Sequence, residues 1–200
     1  CSEDLGGFYL DILKDRLYTT AKDSRARRSA QNALWHITHC FVKLMAPILS
    51  FTAEEVWQAI HQDTDDSVML HTWQPLPILA DEAALLDKWS KIRGWRADVT
   101  RALEELRIAG KIGSSLQAEV TMHADGEKYD LLNSLADDLR FVFICSKTKV
   151  IRSAEDKVEC APLAHAKCER CWHVREDVGA DPAHPEICGR CASNLHGEGE

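Results

Sequence analysis

The feature that most constrains how this chain can fold is a set of four cysteines near its C-terminal end. Cys168 and Cys171 form one C-x-x-C pair, and Cys188 and Cys191 form a second, with sixteen residues between the pairs. Each pair can place two thiolates on one metal ion from a tight turn, and two such turns complete a tetrahedral site. The spacing is typical of zinc. The sequence therefore predicts one structural Zn²⁺ in a closed site that leaves no coordination position for catalysis.

Other interpretations of the paired cysteines remain open beside the zinc site. A redox pair of the thioredoxin type consists of one C-x-x-C beside a βαβ unit, whereas this chain has two pairs in a loop-rich tail. An extracellular disulfide framework is disfavoured, because the chain is long and its helical segments can bury a core of their own. Histidine could also replace a cysteine as a ligand, and three histidines flank the motif: His165, His173 and His184.

The charge of the chain limits its possible partners. It has 24 basic and 32 acidic residues and a formal net charge of −8, which excludes nucleic-acid binding through bulk positive charge. Any contact with a nucleic acid must therefore be local or shared with a larger body. The sequence has no signal peptide and no apolar run long enough to span a membrane. We therefore expect a cytoplasmic protein that does not bind membranes and is a monomer.

The apolar pattern predicts a mainly α fold in three parts. With 45% apolar residues over 200 positions, the chain can bury a substantial core. We expect an antiparallel helical bundle over residues 1–110, a small α/β unit over 111–160 and a C-terminal four-cysteine zinc ribbon or knuckle module over 161–200. Because the chain starts with Cys1 at the head of a predicted helix, we also expect it to be part of a longer protein.

The first three helices are predicted from the spacing of apolar residues. One helix occupies the start of the chain. A second follows an apolar stripe and should end before Pro47; the stripe consists of Ala30, Leu34, Ile37, Phe41 and Leu44. A third is expected to start at Thr52, because Thr52 and Glu55 match a capping box and Phe51 and Val56 match a hydrophobic staple.

A fourth, long helix is predicted over residues 81–109 and should end at Gly110. Its apolar face is interrupted at Arg96 and is expected to form the seam of the bundle with the first three helices. That face consists of Leu85, Trp89, Ile92, Val99, Leu103 and Leu106. Beyond it, the pattern predicts the α/β unit from a strand, a helix and a second strand, at residues 117–123, 129–139 and 148–152.

The densest positive patch precedes the second helix and is a candidate for contact with a polyanion. It consists of Lys22, Arg25, Arg27 and Arg28. Arginine side chains bind phosphate oxygens through paired hydrogen bonds. The alternative is a solvated helix entrance in which Asp15 or Asp23 pairs with these cations.

A second candidate group lies beside the first cysteine pair and consists of Arg170, Trp172 and Arg175. An exposed tryptophan next to basic groups can stack on a base. In the alternative, Trp172 packs over the cysteine pair as its hydrophobic lid. From residue 161 onward the chain has four basic and seven acidic residues, so we do not expect this module to bind a polyanion strongly by itself.

No set of catalytic residues is recognisable in the sequence. Residues 110–115 do not form a phosphate-binding loop, because Glu105 stands at the position of its first glycine and Ile112 at the position of its Ser or Thr. There is also no H-E-x-x-H, no G-x-S-x-G and no dinucleotide fingerprint. The 200 residues by themselves are therefore predicted not to be an enzyme.

Several motifs resemble one family along essentially the whole chain. KCERCW at 167–172 with ICGRC at 187–191 resembles the C-terminal zinc module of bacterial isoleucyl-tRNA synthetases. KDRLY at 14–18, RSAQ at 28–31, MAPIL at 45–49, TAEEVW at 52–57 and the segment 67–73 resemble the anticodon-binding helical bundle of the same enzymes. The bundle alone would also suit valyl-tRNA synthetases, and the four-cysteine tail favours the isoleucyl family.

The resemblance implies a specific role. The parent would be a class I aminoacyl-tRNA synthetase that joins isoleucine to its tRNA with ATP, in a catalytic core and an editing domain outside this chain. ATP would bind only in that core. This part would bind the isoleucine tRNA at its anticodon region and work with the remainder of the synthetase. Contacts would come from Lys22, Arg25, Arg27 and Arg28, and secondarily from Arg170, Trp172 and Arg175.

Two other functions compete with this interpretation. Formamidopyrimidine-type DNA glycosylases have a similar four-cysteine tail, so the chain could be a zinc-ribbon DNA-binding module of a repair protein. The sequence does not match the helix–two-turn–helix element that precedes the tail in those enzymes. The third possibility is a zinc-stabilised interaction module that binds no nucleic acid.

Overall fold

The computed structural model describes residues 2–62, 65–73 and 75–199. These residues form a mainly helical fold with a small sheet, as predicted. A π-helical segment Ser2–Leu10 leads into the helices, which are α1 (Asp11–Thr19), α2 (Arg25–Met45), α3 (Ser50–His61), α4 (Glu82–Ile108), α5 (Gly126–Asn133), α6 (Leu139–Phe143) and α7 (Gly189–His196). The strands are β1 (Ala118–Ala124), β2 (Lys147–Arg152), β3 (Lys157–Pro162), β4 (Ala166–Lys167) and β5 (Val174–Arg175). No helix among the described residues is long and apolar enough to cross a membrane.

Helix α2 begins because Ser24 caps it, with the Ser24 hydroxyl accepting a hydrogen bond from the N–H of Arg27 at 3.1 Å. It ends at Met45, before Pro47, as predicted. The face of α2 that meets α3 is buried, and a small core forms there from Val42, Ala46, Ala53, Trp57 and Val68. The last two residues of the predicted stripe, Phe41 and Leu44, remain exposed.

The predicted start of α3 is wrong. The helix begins at Ser50, its first residues have no capping box, and the Phe51 side chain is 88% exposed rather than packed as a staple. The reason is that backbone hydrogen bonds continue through the α2–α3 turn, from Leu49 N–H to the Met45 carbonyl and from Ala53 N–H to the Leu49 carbonyl. These bonds leave the turn in a nearly helical path that needs no side-chain cap at Thr52.

Helix α4 ends as predicted, at Ile108, with Gly110 in the left-handed region at φ 69°. Its buried face packs beside Phe8 and Ile12 near the start of the chain, but in the described part of the chain this core includes no residue of α2 or α3, so the predicted seam with the first three helices is only partly formed. Ile92, Val99 and Leu103 belong to one core with the sheet, α5 and α6. The sheet offers α4 a continuous apolar face, whereas the buried residues of α2 point towards α3. Arg96, which interrupts the apolar stripe, donates from Nε to the Val142 carbonyl at 2.9 Å.

The three-stranded sheet has the order β2–β1–β3. Strand β1 is parallel to β2 and antiparallel to β3, and its residues alternate between buried and half-buried. Strands β1 and β2 were predicted from this alternation. Strand β3 was not predicted, because its sequence KVECAP alternates over only four residues and ends in a proline. The central strand carries Val120 and Met122 into the core below α4.

The cysteine-rich tail folds as a two-stranded β4–β5 ribbon followed by α7. The N–H of Val174 on β5 donates to the Ser146 hydroxyl at 2.8 Å, and Lys147 pairs with Glu176 at 3.0 Å. These contacts join the tail to the beginning of β2. A second set of contacts joins it to the end of α1.

Candidate metal centre and the adjoining basic turn

The four paired cysteines meet in one buried cluster. Cys168, Cys171, Cys188 and Cys191 are all buried, and their Sγ atoms lie within 4.8 Å of one another. The Cys171 and Cys188 sulfurs are 3.8 Å apart. In a tetrahedral site with Zn–S bonds of about 2.3 Å, neighbouring sulfurs are separated by about 3.8 Å. The donor set and its spacing therefore fit zinc.

Local backbone structure places each pair. In the first pair, the Trp172 N–H donates to the Cys168 carbonyl at 2.9 Å, closing a tight turn in which Trp172 has φ 66°. In the second pair, Cys188 is the N-cap residue of α7 and Cys191 lies in its first turn. The Cys188 N–H also donates to the Cys168 sulfur at 3.3 Å, which is a common stabilising contact for a thiolate.

Contacts within the cluster shift the pKa values of neighbouring thiols in opposite directions. Hydrogen bonds from Cys171 and Cys191 lower the pKa of Cys188 below its usual range. The hydrogen bond to Cys188 raises the pKa of Cys171, and burial adds to this effect. A divalent cation would bind all four sulfurs as thiolates and displace their protons.

No histidine joins the cluster in the described part of the chain, where the four cysteines form the one group that could hold a metal ion. His173 instead lies with its Nε2 atom 3.6 Å from an oxygen of Asp15 and packs edge-on against Phe141. His184 stacks on His196 at 3.9 Å between ring centroids. The alternative in which a histidine replaces a cysteine is therefore not supported.

The tail docks on the end of α1 through charged groups. Arg190 of α7 binds both oxygens of Asp15 at 2.7 Å and contacts the Thr19 hydroxyl at 3.2 Å. The Arg190 side chain is only 8% exposed. We call the turn that holds Cys168 and Cys171 the first knuckle and the turn that holds Cys188 and Cys191 the second. From the first knuckle, Arg170 donates to the Thr19 carbonyl at 2.6 Å, where a cation interacts favourably with the C-terminus of a helix.

The ionisation of Asp15 depends on this docking. Burial alone would raise the pKa of Asp15, but the close His173 ring and the hydrogen bonds from Arg190 outweigh burial and hold the pKa well below its usual range. Asp15 is therefore a carboxylate throughout the neutral range, and it pairs with Arg190 rather than with the basic patch. The alternative in which Asp15 pairs with that patch is wrong.

The basic patch forms the turn between α1 and α2 and the first turn of α2, and we call residues 20–28 the basic turn. Lys22, Arg25 and Arg28 are exposed, and Arg28 pairs with Asp23 at 2.8 Å, as the alternative interpretation proposed. Arg27 is half-buried and points back to the Thr20 carbonyl at 3.4 Å. The backbone of the turn is joined to α7, since the Ala21 N–H donates to the Asn194 Oδ1 atom at 3.0 Å. The structure thus brings the basic turn and the cysteine tail together.

Trp172 is not a lid over the cysteines. Its side chain is 61% exposed, and the Lys167 Nζ atom lies 5.3 Å from the ring centroid. Trp172 borders a cavity of about 410 Å³ between α1 and the first knuckle, which is also lined by Lys14, Tyr18 and Arg170. Arg175, by contrast, is half-buried and donates to Asp177 at 2.8 Å.

Three residues of this arrangement were missed by sequence reasoning: Asp15, Arg190 and Asn194. Asp15 was considered only as a partner for nearby cations, while its actual partner lies 175 residues away. Asn194 has no motif around it. Arg190 gave no signal either, because a cation beside a dianionic four-thiolate zinc site is favourable there without a partner elsewhere.

Comparisons with known proteins agree with this arrangement. Residues 1–122 match a family described as the anticodon-binding domain of tRNA ligase, and residues 167–194 match one described as the zinc finger found in FPG and IleRS. The helical match covers more than half of the chain. It disfavours the alternative of a DNA-repair module, which the zinc-finger match alone would have allowed.

Curated relatives match the chain from end to end. The chain is 68% identical to the isoleucine–tRNA ligase of Dechloromonas aromatica and 63% identical to that of Thiobacillus denitrificans, over 200 residues in each case. It is 56% identical over 202 residues to the isoleucine–tRNA ligase of Aromatoleum aromaticum. All of this chain is covered in these matches, but only 21–22% of each relative. The chain thus spans about a fifth of their length.

Proposed function

Because the chain belongs to the family of anticodon-binding domains of tRNA ligases, we propose that it binds the isoleucine tRNA at the anticodon region and positions it for aminoacylation elsewhere. The relatives are isoleucine–tRNA ligases, so the reaction of the whole protein would be the ATP-dependent joining of isoleucine to that tRNA. The observation that carries the proposal is the basic turn docked beside the cysteine cluster. Anticodon loops present unstacked bases and closely spaced phosphates, which such a surface can bind.

In this proposal the four cysteines hold one zinc ion. A four-thiolate site has no open position, so bound zinc supplies no reaction chemistry and fixes the two knuckles relative to each other. The chain's own residues then do the rest: the first knuckle presents Trp172 and Arg170, and α7 presents Arg190 and Asn194 to the α1–α2 turn. A reducing compartment such as the cytoplasm suits a site of free thiolates.

The candidate RNA contacts divide into two groups. Lys22, Arg25, Arg28 and Trp172 are exposed and can touch RNA directly. Arg27, Arg170 and Arg175 already donate to protein acceptors, which are Thr20, Thr19 and Asp177 respectively, so we assign them mainly to supporting the surface. The cavity beside Trp172 offers space for an unstacked base next to an aromatic face.

Filter binding tests the proposal with two transcripts of equal length, an isoleucine tRNA and a valine tRNA. The expected result is measurable, salt-dependent binding that is tighter for the isoleucine tRNA. The affinity of the isolated chain should be modest, because its net charge of −8 opposes RNA binding at long range. Equal binding of both transcripts and of a DNA duplex, or no binding at low salt, would contradict the proposed function.

A further inference from the structure

Side chains from both knuckles meet at the same short stretch of chain. Arg170 and Arg190 hold residues 15–19 at the end of α1, and Asn194 accepts from the Ala21 N–H in the turn that follows. Ala21 is the second residue of the basic turn and directly precedes Lys22. The contacts join positions that are 151 to 175 residues apart in sequence.

Helix α7 carries two of these side chains and depends on the cysteines for its own order. It has eight residues, Gly189–His196, and a helix of that length is not stable by itself in water. Cys188 caps its N-terminus and Cys191 lies in its first turn, so a metal ion bound by both would fix that turn. Arg190 lies between these two cysteines in the same turn, and Asn194 lies one turn further along.

We propose that Arg190 and Asn194 are positioning residues that transmit order from the metal centre to the basic turn. This inference rests on the proposed function, because it concerns how the same surface is kept ready for tRNA. Asn194 is 7% exposed and the Arg190 side chain 8% exposed. Neither can contact RNA to any useful extent, so their effect on RNA binding passes through residues 15–21.

The basic turn has few other contacts that fix its backbone. Within it, the Ser24 N–H donates to the Ala21 carbonyl at 3.1 Å and Arg27 reaches the Thr20 carbonyl at 3.4 Å. Both contacts are internal to the turn. The Thr20 hydroxyl donates to the Arg16 carbonyl and joins the start of the turn to α1. The hydrogen bond from the Ala21 N–H to Asn194 joins the turn to α7, and the ion pair of Asp15 with Arg190 holds the preceding helix end.

The test compares three variants of the zinc-loaded chain. Asn194→Ala removes the acceptor for Ala21, Asn194→Asp keeps an acceptor oxygen there, and Ser193→Ala changes the exposed neighbour on α7. Amide hydrogen exchange of residues 19–24, zinc content and the dissociation constant for the isoleucine tRNA are measured for each. We expect Asn194→Ala to retain one zinc, to exchange faster in this stretch and to bind tRNA about threefold to tenfold more weakly.

The same proposal requires Asn194→Asp and Ser193→Ala to match the unmodified chain within about twofold in exchange and in affinity. Unchanged exchange of residues 19–24 in Asn194→Ala would overturn the proposed coupling. Faster exchange with unchanged tRNA affinity would overturn the positioning role. Failure of the unmodified chain to bind tRNA would instead refute the proposed function, while the exchange measurement would still decide whether α7 orders the turn.

Discussion

The α4–sheet region and the cysteine tail are stabilised by different means. In the first, ten buried residues of α4, the sheet, α5 and α6 form one apolar core together with Ile112 and Cys145 from the connecting segments. In the second, the buried cluster is the four cysteines, and among the described residues the apolar side chains packed against it are Val178 and Ile187. Apolar burial stabilises a fold without any ligand, whereas a small module without such a core needs its metal. The contrast shows that one chain can contain a self-sufficient part and a metal-dependent part.

The largest effect should come from breaking the metal centre. Cys168→Ser or Cys188→Ser is expected to abolish zinc binding and unfold the tail, because structural zinc supplies on the order of 10 kcal/mol to such modules. Far-ultraviolet circular dichroism should retain most of the helical signal, and hydrogen exchange should show loss of protection only in the tail and the α1–α2 turn.

The matched control for this change is Cys160→Ser. Burial raises the pKa of the Cys160 thiol to about 11, so this cysteine remains protonated, and it lies outside the cluster. The variant should bind one zinc per chain. Loss of the α4–sheet core together with the tail in Cys168→Ser would show that the two regions are not independent.

The next largest effect should come from the apolar core. Ile92→Ala removes a fully buried side chain between α4 and the sheet and is expected to cost about 2–5 kcal/mol in the free energy of unfolding. Urea denaturation measures this change, with Phe51→Ala as a control that should stay within about 0.5 kcal/mol because Phe51 is exposed. The zinc content should not change in either variant. An equal loss of stability in both variants would contradict the burial of Ile92 between α4 and the sheet.

A smaller, pH-dependent effect should come from the docking pair of Asp15 and Arg190. The folded pKa of Asp15 is lowered, so its contribution to stability is complete above the unfolded pKa of about 4 and is lost as the pH falls below it. Asp15→Asn should destabilise the docked tail by about 2–3 kcal/mol at pH 7. The difference from the unmodified chain should shrink as the pH is lowered from about 5 to 3.

Measuring that difference at each pH cancels the loss of zinc from protonated thiolates, which affects both proteins. Urea unfolding, monitored by hydrogen exchange of tail peptides such as residues 168–191, provides the readout. A difference that grows on acidification would contradict the assignment of Asp15 as the carboxylate partner of Arg190.

The smallest expected effect concerns RNA contacts at the surface. Arg27→Ala with Arg28→Ala should weaken binding of the isoleucine tRNA and reduce the slope of log affinity against log salt by about one to two. Because Arg27 is half-buried and Arg28 is exposed, the single change Arg28→Ala should account for most of the change in slope. Arg101→Ala, at an exposed position on α4, is the control. If the double variant, Arg28→Ala and Arg101→Ala all gave the same slope, the basic turn would not be part of the RNA-binding surface.

Local signals explain which parts of this structure were predictable. The cysteine spacing, the stop at Gly110 and the alternation of β1 depend on a few neighbouring residues, and all three were predicted. The partner of the α4 face was not, because an apolar stripe shows that a helix face is buried but not what buries it. The docking of Arg190 on Asp15 was also out of reach, since two single residues 175 positions apart leave no periodic pattern.

A hydrogen-exchange footprint of the zinc-loaded chain, free and bound to the isoleucine tRNA, tests most directly whether the docked tail and the basic turn form one RNA-binding surface. Protection on binding should appear in peptides that cover residues 20–28 and 170–173, and the three-stranded sheet should be unaffected. Protection of the sheet with no change at either of those two segments would contradict the proposed surface.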